Sequence, residues 1–582
     1  MRIIISFFLL LIIVACNSGT ENNGDFKDWK TPFENGNGNQ TATYDEVISF
    51  YEDLASDFST ITMDEIGTTD YGKPLHLITF SKKPVKWNKA YPDRIKILIN
   101  NGIHPGESDG IDATMMLMRD LATGNYEVGD DVIFSAIAVY NVGGSINRNS
   151  HSRTNQNGPE AYGFRGNARN YDLNRDFIKA DTRNAQAFYE VFHRINPDLF
   201  IDNHVSNGAD YQYTLTHLFT QHNKLGEASG DFLYNTIQPE LEKRLLEREL
   251  DITPYVNVYG RSPETGFTQF MDHPRYSTGY TALWNTMGMM VETHMLKPYK
   301  DRVTGTKAIM EEMIQIGSSN LDAIKKARKE SFDHYASASH YALNHITDRT
   351  KADTLNFKGY EAVNNVSDLT GKPLLTYDRS QPFTKKVLYR NHFTPVDSVA
   401  IPDYYIIPKG WWRVEDLLRR NNIKIEYLSQ DTTLVVNRYR IKNYKSSTSA
   451  YEGHFPYQNI ELSSEDVELR FRESDIIVST QQPGIRYLLE TLEPLGQDSF
   501  FKWNFFDTIL QQKEGFSSYV FEQTAKELLQ ENPKLAEEFL LKKKTDATFN
   551  ASNYAQLEWL HKRSQNYEKA HLNYPIYRLF NN

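Results

Sequence analysis

His104 and Glu107 stand three residues apart around a Pro-Gly corner in "LINNGIHPGESDG", and His204 closes a second apolar run in "DLFIDNHVSNG". Imidazole nitrogen and carboxylate oxygen both ligate a divalent metal at roughly 2.0 to 2.2 Å, and a catalytic zinc takes three protein ligands while keeping a fourth position open. A His-x-x-Glu pair by itself also describes a solvated turn. A third ligand delivered at another strand end makes the set more specific. The other histidines fit less well. His217 lies inside the alternating "YTLTHLFT", a packed strand position. His151, His193 and His222 follow no apolar run, His273 in "MDHPRYSTGY" reads as a loop residue, and His294, two residues past Glu292, reads as structural or as support behind the ligands.

A hydrolytic metal also needs a nearby base outside its ligand set to move the proton of the attacking water. In "NTMGMMVETHMLKP" Glu292 follows the apolar run Met289-Met290-Val291, and a buried acid there is costly unless it works or is paired. "GFRGNARNYDLNRDF" gathers Arg165, Arg169, Asn174 and Arg175. Guanidinium binds planar carboxylate and stabilises a developing oxyanion, although such a cluster is also compatible with plain surface charge.

The order His104-x-x-Glu107, Arg165, Asn174-Arg175, His204, Glu292, with "DLNRDF" and Arg165-Gly-Asn-Ala, resembles the zinc carboxypeptidase family over roughly residues 41 to 330. The resemblance implies that His104, Glu107 and His204 bind one zinc ion and that Glu292 is the general base. It implies that Arg165 polarises the scissile carbonyl, with Arg153 in "SRTNQNG" as a rival, and that Asn174 and Arg175 hold the terminal carboxylate of a peptide or protein substrate. The family's mobile tyrosine has two candidates here, Tyr276 and Tyr280, at a shorter spacing from the base than its pattern expects.

The elements that must position these groups follow from periodicity. "TYDEVISFYEDLASDFS" puts Val47, Phe50, Tyr51, Leu54 and Phe58 on one helical face with Thr43 as N-cap. Strand-like runs "LHLITF", "IKILIN", "DVIFSAIAVY", "PDLFIDNHV" and "MGMMVETH" alternate with helices from about Ser108, near "TRNAQAFYEVFHRI", and from about Gly305 to Arg328. A long polar loop runs from Asn147 to Asn170. This alternation predicts an α/β domain with a mixed, mostly parallel sheet and helices on both faces. Past about residue 335 the texture turns polar and tyrosine-rich. "WWRVEDLLRRNNIKIEYLS" predicts a helix then a strand, "LAEEFLLKKKTDATFN" a surface helix, and the region as a whole an accessory α+β or β-rich unit over 336–582.

The chain of 582 residues, 40% hydrophobic, is long enough for more than one core. Its 64 basic and 75 acidic residues give a formal charge of -11 with no basic tract, which argues against a nucleic-acid partner. The N-terminus "MRIIISFFLLLIIVACNSGT" has an apolar stretch too short to span a bilayer and of the right length for a secretory signal. Its Ile13-Val14-Ala15-Cys16 resembles a bacterial lipoprotein signal, implying cleavage before Cys16, lipidation of that lone cysteine and membrane attachment in the cell envelope. Residues 1–15 then form the signal, 16–40 a flexible tether rich in Asn and Gly, and 41–335 the peptidase domain. The leading expectation is a lipid-anchored zinc metallopeptidase acting on peptide C-termini. A peptidoglycan stem-peptide hydrolase, an N-acyl amino acid deacylase and a non-catalytic module that binds peptide ends are the alternatives.

Overall fold

A computed structural model describes residues 29–87 and 89–580. The expected signal segment and Cys16 lie outside the described residues. The stretch expected as tether is packed from Trp29 onward. The Trp29 ring lies 5.8 Å from Phe50 and 5.7 Å from Phe58. The short helix Pro32–Asn35 carries a Thr31/Glu34 capping box. Glu34 also pairs with Arg119 at 2.7 Å. Residues 29–40 are therefore anchored rather than free, because Trp29 and Phe33 give this polar segment apolar surface to bury.

The strands of the first half are β1 (Ile61–Ile66), β2 (Leu75–Phe80), β3 (Ile95–Asn100), β4 (Val132–Ile137), β5 (Leu199–Ser206), β6 (Leu215–Phe219), β7 (Ile252–Pro254), β8 (Phe267–Thr268) and β9 (Met287–His294). All but β8 form one eight-stranded sheet in the order β1-β2-β4-β3-β5-β9-β6-β7. Its centre, β4-β3-β5-β9, is parallel, and its flanks are mixed. The central strands read as near-continuous apolar runs because both faces are buried. Ile95, Ile97 and Ile99 enter one core with helices Tyr44–Asp57, Asp109–Thr123 and Tyr299–Ser319; Leu98 enters the other with helix Arg183–Ile195. The sheet is thus mixed and largely parallel, with helices on both faces. The single helix predicted over about 305–328 is two, Tyr299–Ser319 and Leu321–Ser337. Asn320 between them leaves helical geometry at φ -112 and returns its side-chain amide to Ile316 O.

Beyond residue 337 the chain is rich in strands. It forms long hairpins, Asp353–Val366 with Pro373–Arg390 and Thr432–Ser446 with Tyr457–Phe471, a six-stranded sheet, and a helical group from Ser518 to His561. This half shares a core with the first. Tyr405, Leu417, Leu418 and Tyr487 pack in the same buried cluster as Phe188, Phe192 and Tyr280. Strand Pro373–Arg390 also continues in parallel onto β8.

Candidate metal centre and active site

At the end of β3 the chain turns through Gly102, whose φ of 68 is left-handed, and then presents His104 and Glu107 before the helix that starts at Asp109. Gly110 lets this helix press onto β5, since a Cβ there would lie 2.3 Å from Asn203 Cβ. β5 brings His204 to the same carboxyl edge of the sheet, and β9 brings Glu292 into register directly beside it.

His104, Glu107 and His204 are 4%, 4% and 3% exposed. One ligand atom from each fits within a 4.8 Å spread. The Nδ1 atoms of both histidines face the Glu107 carboxylate, at 3.3 Å from His104 and 3.1 Å from His204. The outer nitrogens are held by carboxylates: His104 Nε2 lies 2.9 Å from Asp172 and His204 Nε2 2.9 Å from Asp202. That carboxylate-histidine pairing orients each ring and raises its basicity as a ligand. His104 Nδ1 is buried with no hydrogen-bond partner, a polar atom that a bound cation would satisfy. Two nitrogens, one carboxylate oxygen and a side open to a cavity fit a catalytic zinc.

The electrostatics agree with the geometry. Burial pushes Glu107 toward protonation, yet His104, Arg153 and hydrogen bonding to His204 outweigh it and hold the carboxylate well below its usual range. For Asp172 burial is likewise outweighed by His104, Arg165 and Arg175. Burial alone would depress His204, but Asp202 and Glu107 lift it well above the ordinary histidine range without a cation present. Glu292 behaves oppositely. Burial, with the charges of Glu107 and Asp202, pushes it up to about 7 against the attraction of His204 and Arg165. A carboxyl poised near neutrality is suited to accepting and returning a proton.

A cavity of about 530 Å³ opens beside this cluster, and Arg153, Arg165, Asn174, Arg175, Tyr276 and Glu292 all line it. Arg165 spans Asp172, with Nε at 3.0 Å and Nη2 at 2.8 Å, and reaches Glu107 at 3.4 Å; its side chain is 44% exposed. Arg153 donates to Glu107 at 2.8 Å and is 13% exposed. Both rivals therefore meet the same carboxylate. Asn174 and Arg175 belong to the short turn Leu173–Arg175, which Asp172 caps by accepting the Asn174 N–H. Arg175 lies over the Tyr276 ring at 4.7 Å. The two tyrosine candidates separate clearly. Tyr276 lines the cavity against Phe270, whereas Tyr280 is fully buried, stacked on Tyr189 and donating to Asn421.

Residues 47–214 match the model of the zinc carboxypeptidase family. The matched stretch contains His104, Glu107, Arg165, Asn174, Arg175 and His204, and ends before Tyr276 and Glu292. Among solved structures the chain is similar to the metallo-carboxypeptidase from Burkholderia cenocepacia, at 16% identity, covering 48% of this chain and 70% of that one, TM-score 0.35. It is similar to the metallo-carboxypeptidase from Pseudomonas aeruginosa in complex with (2-guanidinoethylmercapto)succinic acid, at 14% identity, 48% and 68% coverage, TM-score 0.35. A third is carboxypeptidase A from Helicoverpa armigera, at 15% identity, 50% and 74% coverage, TM-score 0.35. No curated protein matches the sequence.

Several residues of this carboxypeptidase-like site carry no ligand or base pattern in the sequence. Asp202 has a weak signal, since two residues apart on a strand puts it on the face of His204. Asp172 has none beyond its place in "YDLNRDF". Of the histidines set aside, His217 is a packed strand residue paired with Glu242, and His294 is buried, stacked on Tyr211 at 4.2 Å and facing Asp210.

Proposed function

We propose that the protein is a zinc-dependent carboxypeptidase-like hydrolase that removes residues from peptide C-termini. The observation that carries this reading is the convergence of His104 Nδ1, His204 Nδ1 and Glu107 beside a cavity lined by Arg153, Arg165 and Arg175. His104, Glu107 and His204 would hold the ion; when bound, zinc supplies a Lewis acid that polarises a carbonyl and acidifies water. Glu292 accepts the proton of the attacking water and returns it to the leaving amine. Arg165 is assigned to the carbonyl oxygen in preference to Arg153 because both line the cavity and more of the Arg165 side chain is exposed. Asn174 and Arg175 bind the terminal carboxylate, Arg175 as a planar charged donor, and Tyr276 closes that end of the cavity.

The reading extends to the cell envelope: cleavage before Cys16 and acylation of its thiol would tether the enzyme to a membrane, supported by the N-terminal sequence alone.

The test is digestion of a peptide library by the purified protein, read by mass spectrometry, with each peptide supplied as free acid and as C-terminal amide. Single-residue release from the acids only is expected. Equal cleavage of both forms would remove the carboxylate clamp from the account, and release of stem peptides alone would redirect it to the cell wall.

A further inference from the structure

The turn between strands Thr432–Ser446 and Tyr457–Phe471 reaches the metal centre from the other half of the chain. Its tip is closed by Tyr451 N–H to His454 O at 2.8 Å and His454 N–H to Tyr451 O at 3.1 Å. Both central residues are left-handed, Glu452 at φ 48 and Gly453 at φ 78, the geometry of a tight hairpin turn in which glycine or asparagine is the inexpensive choice. A glutamate stands at the first of these positions. Its carboxylate accepts the backbone N–H of Asp172 at 2.9 Å.

The rest of the tip seats against the same segment. A Cβ on Gly453 would lie 2.9 Å from Tyr171 Oη, so the turn rests directly on that ring. His454 Nε2 meets Asp181 at 2.7 Å, at the far end of the loop that carries Asp172, Asn174 and Arg175. Tyr451 stacks on Trp503 at 6.0 Å, and Arg275, next to Tyr276, lies over Trp503 at 5.0 Å. Asp172 itself is the junction of the site, binding His104 Nε2, Arg165 and the Asn174 N–H.

We propose that Glu452 is a positioning residue of the metal centre: by accepting the Asp172 N–H it fixes the peptide unit that aims the Asp172 carboxylate at His104 and Arg165. On this account the C-terminal half completes the active site. The inference rests on the metal-site reading above and is separable from the choice of substrate.

The experiment uses the full mature chain, stripped of metal and titrated with zinc against a chromogenic chelator, alongside peptide kinetics and thermal unfolding. Loss of a partner that bonds a ligand directly costs about 10- to 100-fold in metal affinity; one bond further out, Glu452→Ala should cost about three- to tenfold. Glu452→Gln keeps an oxygen that accepts the same N–H and should recover most of that loss. Gly453→Ala, whose Cβ would meet Tyr171 Oη and so lift the tip with its Glu452 carboxylate away from the Asp172 N–H, should weaken zinc in the same direction and serves as a second variant that retains the glutamate. Unchanged zinc affinity in the folded Glu452→Ala and Gly453→Ala variants, with only the unfolding temperature lowered, would overturn the proposal. So would a glutamine variant as defective as alanine. If the wild type binds zinc but trims no C-terminus, the function fails while the affinity comparison still decides Glu452.

Discussion

The two walls of the cavity are built on different principles. His104, Glu107, His204 and Glu292 stand on or just after parallel strands, in a fixed register where His204 and Glu292 are direct neighbours. Arg165, Asn174 and Arg175 stand on a loop with one short turn, Leu173–Arg175, and left-handed residues at Asn170 and Ala180, and Tyr276 stands just before the short helix Ser277–Thr281. The first wall is held by the sheet's own hydrogen bonds. The second is held by side chains sent from elsewhere: Asp498 grips Arg275 at 2.7 Å, Ser277 donates to Asp202, and the tip at Glu452 holds Asp172. The metal-site residues thus stand at strand ends, while the loops that carry Asp172 and Arg275 are contacted by Glu452 and Asp498 of the C-terminal half.

The comparison breaks most sharply at Glu292. Glu292→Gln should lower kcat by about a thousandfold with zinc affinity kept, since it removes proton transfer and no ligand. A fully active variant with zinc bound would end the assignment. Next in size is the support of the second wall. Arg275→Met leaves the buried Asp498 without its cation and should cost about 3 kcal/mol in denaturant unfolding. Its zinc affinity should change less than its stability if the walls are separately held. Asp202→Ala strikes the first wall, freeing the His204 ring, and should weaken zinc about 10- to 100-fold in a chelator competition. Arg175→Ala should lower kcat/KM about tenfold or more for a free-acid peptide, as loss of a charged hydrogen bond predicts, and should affect zinc affinity less than Asp202→Ala does, since Arg175 reaches the ligands only through Asp172 at 3.8 Å.

The smallest effect sharpens the electrostatic side. In the metal-free protein burial and the charges of Glu107 and Asp202 push Glu292 up to about 7, and Asp202 and Glu107 hold His204 well above the ordinary histidine range, which favours the protonated form of each. A zinc cation favours the deprotonated form of each, so binding at pH 6.5 should release protons, seen as a buffer dependence of the calorimetric heat. Glu292→Gln should reduce that release. Activity should rise with pH as Glu292 loses its proton, with an acidic limb below the metal-free value.

The metal wall was legible in the sequence because its signals are local. An apolar run ending in Asn-Gly announces a buried strand and its edge, and His-x-x-Glu and the isolated His204 and Glu292 follow such runs. The tyrosine was not legible: Tyr276 and Tyr280 differ by one helical turn, and only the packing of Tyr280 against Tyr189 and Asn421 separates them. The tether reading erred at residues 29–40 for a related reason, since composition does not reveal that Phe33 finds Tyr299.

What this chain's sequence determined by itself was the kind of residue at each strand end and the periodicities that make the sheet, because both follow from nearest neighbours along the backbone. What only the tertiary structure decided was which carboxylates stand behind the histidines, which tyrosine faces the cavity, and that a turn 280 residues away closes on Asp172. Apart from Asp202, two residues from His204 on one strand, those contacts join segments distant in sequence, and the Glu452 and Asn421 contacts exist only once burial of the shared core has brought the two halves together.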